Sequence, residues 1–215
     1  MKIKKITLIA LAILPLIVAT VALCFLPDQI PAHFGADFAV DRYGSKYEIF
    51  IFPAEILFMS LIFLIAPIFI ENEQNEKLLV NIGIGLTLAF NVLNYFFLYI
   101  QASNAENLND GLFSIERILM LIFGVFFIFI GNLMPLARKN SLIGLRTKWS
   151  KYNDTVWKKS QIFGGLSLIV SGIILLILAF FFPDIFLMVS LLIVLAVVDT
   201  VYSYIAFKKY GSAEK

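Results

Sequence analysis

Two carboxylates, Glu55 and Asp199, lie inside otherwise apolar stretches of the chain. An ionisable group in such a place is costly to keep, and it marks either a proton or ion relay or a hydrogen bond between packed helices. At 1.5 Å per residue, Glu55 lies ~9 Å below one end of its stretch, level with Asn94 in the next, so the two are expected to meet. By the same rise Asp199 lies ~12 Å from the far end of its own, one turn from Ser203 and level with Thr87. A relay needs polar groups linked from face to face, whereas Glu55 and Asp199 sit near opposite faces. A packing hydrogen bond of about 1 kcal/mol is therefore the preferred reading of each. His33, Asp37 and Asp41 fall at helical spacing and would suit a metal, but Gly35 and the surrounding loop composition argue against a helix there. One histidine excludes a multi-histidine site. No metal and no cofactor are expected. The motifs of zinc proteases, serine hydrolases and phosphate-binding glycine loops are missing, so catalysis is not expected either.

The elements that must position these residues follow from composition. Of 215 residues 60% are hydrophobic and 15% charged, against about a quarter charged in soluble domains. The apolar residues fall in six blocks: Ile6 to Leu26, Ile49 to Ile70, Leu78 to Ile100, Ile118 to Leu136, Ile162 to Phe182 and Ile185 to Phe207. Each holds 19 to 23 residues, and about 20 cross the hydrocarbon as a helix. The expected fold is an all-α integral membrane protein with six transmembrane helices, a multi-pass protein of the cell membrane whose first partner is the lipid bilayer. No nucleic-acid domain fits in what remains. Cys24 is the single cysteine, so no intrachain disulfide forms.

Charge placement sets the sidedness. With the N-terminus inside, segments 1–5, 71–77, 137–161 and 208–215 carry 14 of the 17 basic residues, and the outer segments carry only Arg42, Lys46 and Arg117. Both termini are thus expected in the cytoplasm. The outer segments hold eight acids, including Asp28, Asp37, Asp41, Glu48 and Asp110. The lysines at positions 2, 4 and 5 also fit a signal peptide, but Leu23 is large where a cleavage site wants a small residue, and they read better as a span anchor.

Two connections are long enough for recognition, 27–48 outside and 137–161 inside. Prolines and glycines make the first a folded loop. In the second, a helical reading puts Trp149, Tyr152 and Val156 on one face and Lys151, Asp154 and Lys158 opposite, as in a segment lying in the bilayer interface. Asn153 or Asp154 suits the cap of a helix entering the fifth span. Gly164, Ser167, Ser171 and Gly172 read as packing residues. The organisation expected is 1–70 for the first two spans and outer loop, 71–117 for the third span and its outer connection, and 118–215 for spans four to six with the basic inner loop.

The stretch from Gly131 to Gly165 resembles the signature of the SdpI family of bacterial immunity proteins. Gly131, Asn132, Asn140, Gly144, Leu145, Arg146, Thr147, Trp149 and Trp157 stand at the matching positions. Pro31, His33 and Phe34, followed by Gly44, Ser45 and Lys46, look like the small domain usually found ahead of it. Lys148 departs from the usual proline and Ser150 from the common threonine. The resemblance implies protection against a secreted toxin, peptide or protein, met by the outer loop. In at least one member it extends to drawing a small cytoplasmic transcriptional repressor to the membrane, with no direct contact to nucleic acid. The rival expectation is a small transporter or exporter using Glu55 and Asp199.

Overall fold

The computed structural model describes residues 1–70, 72–103, 105–109, 114–140 and 142–212. Glu71, Asp110, Glu214 and Lys215, which enter the charge balance, lie outside the described residues. Among the described residues six helical segments are long and apolar enough to cross a membrane, Lys2–Ala22, Lys46–Phe69, Glu73–Ser103, Ile115–Leu136, Asp154–Phe181 and Ile185–Tyr210. Their α-helices are α1 Lys2–Ala22, α2 Ile51–Ile65, α3 Glu73–Ser103, α4 Ile115–Leu133, α5 Asp154–Phe181 and α6 Ile185–Tyr210, the second and fourth being extended by 3₁₀ turns. The protein is a multi-pass membrane protein. Two short strands, β1 Gln29–Phe34 and β2 Val40–Ser45, are the departure from helix. The chain forms two compact units, Met1–Ala66 with Gly83–Leu119, and Pro67–Ile82 with Met120–Lys215.

In the first unit, Pro15 lies inside α1 and is fully buried. Proline has no N–H, so the carbonyl four residues back, on Leu11, loses its helical donor. In hydrocarbon that carbonyl has no water to turn to. The Asn91 amide of α3 supplies the donor, Nδ2 to Leu11 O at 3.1 Å. Ser60 of α2 and Thr87 of α3 share a buried hydroxyl bond at 3.0 Å. Gly83 lets these two helices approach, since a Cβ there would stand 2.5 Å from that of Phe63. α2 stops at Ile65, and Pro67 follows in a 3₁₀ turn, Ala66–Phe69, because the residue before proline avoids helical dihedrals.

The loop at 27–48 is a β-hairpin rather than an irregular folded loop. β1 and β2 pair antiparallel, from Gln29 opposite Ser45 to Phe34 opposite Val40, with irregularities on either side of His33. Ile30 is fully buried in a cluster with Ala19, Leu26 and Ile49, so one face of the strand anchors the hairpin on the ends of its helices.

In the second unit α4 and α5 touch through glycines. A Cβ on Gly131 would lie 2.5 Å from the Gly165 carbonyl, and one on Gly165 2.6 Å from the Gly131 carbonyl. Gly172 meets the Gly124 carbonyl in the same way, at 2.6 Å. The numbers of each pair share one sum, as antiparallel helices require, and the pairs sit about two turns apart. Small residues at such a seam let backbones pack where lipid offers no hydrophobic drive. Pro183 and Asp184 join α5 to α6, and the Asp184 carboxylate caps α6 by accepting from Leu187 N at 2.9 Å.

Candidate functional site

The loop between α4 and α5 lies within the second unit. Leaving α4, the chain makes a 3₁₀ turn at Met134–Leu136 and then extends at Ala137. Extended backbone at the edge of a membrane needs partners for every N–H and C=O. Side chains from the start of α3 supply them. Gln74 donates Nε2 to Leu136 O at 2.7 Å, and Asn75 clasps Arg138 on both sides, Nδ2 to its carbonyl at 3.1 Å and its N–H to Oδ1 at 3.0 Å. Asn140 then makes the turn, its Oδ1 accepting from the N–H groups of Leu142 and Ile143, both at 2.6 Å.

Gly144 has φ +99°, a region that glycine alone enters freely. A Cβ there would also run into the Gln161 amide. That amide, fully buried, holds both polar groups of Leu145: its Oε1 accepts from the N–H at 2.8 Å and its Nε2 donates to the carbonyl at 3.0 Å. Ser150, also fully buried, donates its hydroxyl to Leu145 O at 2.7 Å and accepts from Thr147 N at 2.9 Å. Thr147 in turn shares a 2.8 Å bond with Ser203 on α6. Trp157 is nearly buried beside Leu78, Ala137 and Ile143, and its indole N–H donates to Ala137 O at 2.7 Å.

Asn153 caps α5, with Oδ1 accepting from Val156 N at 2.8 Å, so the helix starts eight residues before the apolar block and continues straight into it. The helical reading of 149–158 holds only from Asp154, where α5 begins. Residues 148–152 are turns and bends, and Trp149 and Tyr152 pack instead on Tyr204 and Phe207 of α6, ring centroids 5.1 and 4.8 Å apart. Arg146, Lys148 and Lys151 are all exposed. Among the described residues Arg146 has no hydrogen-bond or ion-pair partner.

The hairpin of the first unit is built the other way. Its charged side chains pair with one another at the surface: His33 Nδ1 with Asp41 at 2.6 Å, Arg42 with both oxygens of Glu48 at 3.1 and 2.8 Å, and Lys46 with Asp28 at 2.8 Å. The Lys46 ammonium beside it holds Asp28 below the usual carboxylate range, and Glu48 raises Arg42 above its ordinary value. Strand β2 also meets the connection after α3, Val40 N to Glu106 O at 2.8 Å and Leu108 N to Phe38 O at 2.9 Å.

Residues 136–203 match the model of the SdpI/YfhL protein family, and residues 10–57 match that of a domain of unknown function, DUF1648. Immunity protein SdpI of Bacillus subtilis (strain 168) is 30% identical over 212 residues, which is 98% of this chain and 99% of that protein. The chain belongs to the SdpI family. No solved structure matches it.

Within this SdpI-family chain the motif residues divide by task. Gly131, Asn140, Gly144, Thr147 and Trp157 shape the loop and its helices. Asn132 bonds its own helix, Nδ2 to Ile128 O at 2.7 Å. Trp149, half-buried, packs on Tyr204, and Arg146 remains exposed. In the hairpin, Pro31 is buried opposite Tyr43, Phe34 lies 6.1 Å from the Phe97 ring, Gly44 leaves room for the Glu48 carboxylate, and Ser45 Oγ accepts from Tyr47 N at 3.4 Å.

The two in-span carboxylates differ. Glu55 does not meet Asn94. Pro53, Ile56 and Ser60 form the buried stripe of α2, and Glu55 lies more than ~90° round the helix from its centre, on the exposed side. Asn94 is buried and lines a cavity of about 20 Å³ with Glu48, Phe52 and Gln101. Asp199 is buried and accepts from the Ser167 hydroxyl of α5 at 2.6 Å, while Thr87 serves Ser60. Gln161, Ser150, Asn75 and Asn91 escaped sequence reasoning. For Asn91 the signal was Pro15, which announces a free carbonyl four residues earlier.

Proposed function

We propose that this protein is a membrane immunity protein that protects its cell against a secreted antimicrobial toxin, and that it also senses the toxin and draws a small transcriptional repressor to the membrane. The observation that carries the reading is the near full-length match to a relative named as an immunity protein. In this reading the hairpin is outside and meets the toxin, and the loop at 136–161 is cytoplasmic and presents Arg146 to the repressor. The basic balance of 137–161 supports that sidedness. The exposed position of Glu55 favours immunity over a transport relay, because a relay would need it turned toward other polar groups.

Expression in a toxin-sensitive Gram-positive host tests protection: survival above the empty-vector control is expected, and equal killing would overturn the reading. Sensing is separable. Arg146→Ala should abolish induction of a repressor-controlled reporter at unchanged protein level, whereas Lys4→Ala should be silent. Reporters fused after Lys151 and at Asp37 should land on opposite sides of the membrane.

A further inference from the structure

We infer that the seam where the turn at 148–152 meets the last turns of α6 binds the phosphate headgroup of an anionic phospholipid. Trp149 and Tyr204 form a tilted pair, and each carries an ammonium: Lys148 Nζ lies 5.0 Å from the Trp149 centroid and Lys208 Nζ 5.0 Å from that of Tyr204. Tyr210, three residues beyond the apolar block, takes two more, Lys159 at 5.6 Å and Lys209 at 5.4 Å. Among the described residues none of these four lysines pairs with a carboxylate. Asp154, the acid nearest in sequence to Lys148 and Lys159, is in an ion pair with Lys139 at 3.9 Å, and Glu214, which follows Lys208 and Lys209, lies outside the described residues.

A cation over a ring gains from the π face but keeps its N–H donors unspent. The two ammonium groups over the paired rings of Trp149 and Tyr204 repel one another, as do the two over Tyr210, and an anion with several acceptor oxygens relieves both deficits at once. Depth selects which anion. Tyrosine and tryptophan at the end of an apolar span mark the membrane–water interface, and the phosphates of the bilayer already lie at that level. Anionic lipids attract juxtamembrane lysines one by one. A soluble acidic protein would have to descend among the headgroups to reach the same donors. This site uses lysines and rings beside Arg146, leaving that residue to the role proposed above.

The test uses the full chain in nanodiscs of phosphatidylcholine containing increasing phosphatidylglycerol, with either lipid carrying brominated chains to quench tryptophan. Trp149 is the reporter, and Trp157, buried, gives a constant background that the Trp149→Phe variant identifies. Phosphatidylglycerol should quench preferentially. Replacing both Lys148 and Lys208 by Gln should reduce that preference by roughly fivefold per charge removed, and replacing both by Arg should retain it. Equal quenching by the two lipids would overturn the proposal, as would equal loss in the Gln and Arg pairs, which would point to packing. Displacement of the lipid by inorganic phosphate or by a polyglutamate peptide would overturn it in favour of a soluble anion.

Discussion

The hairpin of β1 and β2 satisfies its backbone with its own ladder, so its side chains are left to pair with each other in water. In the loop from 136 to 153 the roles are exchanged. Its backbone is irregular, no ladder forms, and the side chains of Gln74, Asn75, Asn140, Ser150 and Gln161 serve as the missing partners. The bonds of the hairpin's side chains are ionic and exposed, and those of the loop are neutral and mostly half-buried, with Gln161 and Ser150 themselves fully buried. An exposed ion pair contributes little because water competes for both charges. A buried polar group stripped of its partner carries the whole cost of desolvation. The two regions should therefore answer very differently to substitution, although both look like polar connections of similar length.

The sharpest separation is expected at Gln161. Gln161→Leu leaves the Leu145 N–H without an acceptor and removes one donor from its carbonyl inside the unit, which should cost about 2–4 kcal/mol. A thermal melt in detergent measures it. Gln161→Glu keeps the acceptor and loses the donor, so it should fall between Leu and wild type. A melt unchanged by Gln161→Leu would break the contrast. Trp157→Phe comes next. It preserves most of the ring packing against Leu78 and Ile143 but frees Ala137 O, for an expected loss of about 1–2 kcal/mol. Exchange at the amides of 137–145 should rise with it.

Sequence made the spans legible because each block is as long as the hydrocarbon is thick, and the cap of α5 was narrowed to Asn153 or Asp154 by residue type, of which the structure uses Asn153. Helix ends beyond the apolar blocks were not. α3 runs from Glu73 to Ser103 and α5 begins at Asp154, because caps and tertiary partners, and not hydropathy, extend a helix into polar sequence. Strand pairing escaped because prolines and glycines announce a turn-rich loop without saying which residues face each other. Glu55 shows a different failure. A common depth with Asn94 was counted from the block ends, but contact also needs a common face, and the stripe Pro53, Ile56, Ser60 already pointed elsewhere. Gln161 sits at the border of the fifth block, where a polar residue looks like ordinary edge composition. Its burial follows from how the loop folds back over it, which no spacing rule contains.

On the hairpin side the largest effect should be Arg42→Ala, which removes the two-pronged bond to Glu48. The arginine is exposed, so the ladder and the Ile30 anchor should hold the strands, and the change in melting temperature should be smaller than that of Trp157→Phe. A larger change would mean that the ion pairs, and not the ladder, hold the hairpin.

The least effect is expected from acid. The Lys46 ammonium depresses the carboxyl of Asp28 when the chain is folded. A depressed folded value means that stability is present above the usual carboxylate range and is lost as pH falls through the folded value, so the loss belongs below about pH 4. Asp28 is almost wholly exposed, its side chain 93% accessible, and solvent screens most of the attraction. Amide protection at Asp28 and Lys46, whose N–H donates to Asp28 O, taken relative to the intrinsic exchange rate at each pH, should fall slightly on acidification from pH 5 to pH 3, while the amide of Leu145, bound to a neutral Gln161, keeps its protection. Lys46→Gln should remove the part of the hairpin's acid response that comes from Asp28, with little change in the melt. Matched acid sensitivity in the two regions would show that charge also holds the loop, and the distinction between ionic and neutral scaffolds would fail.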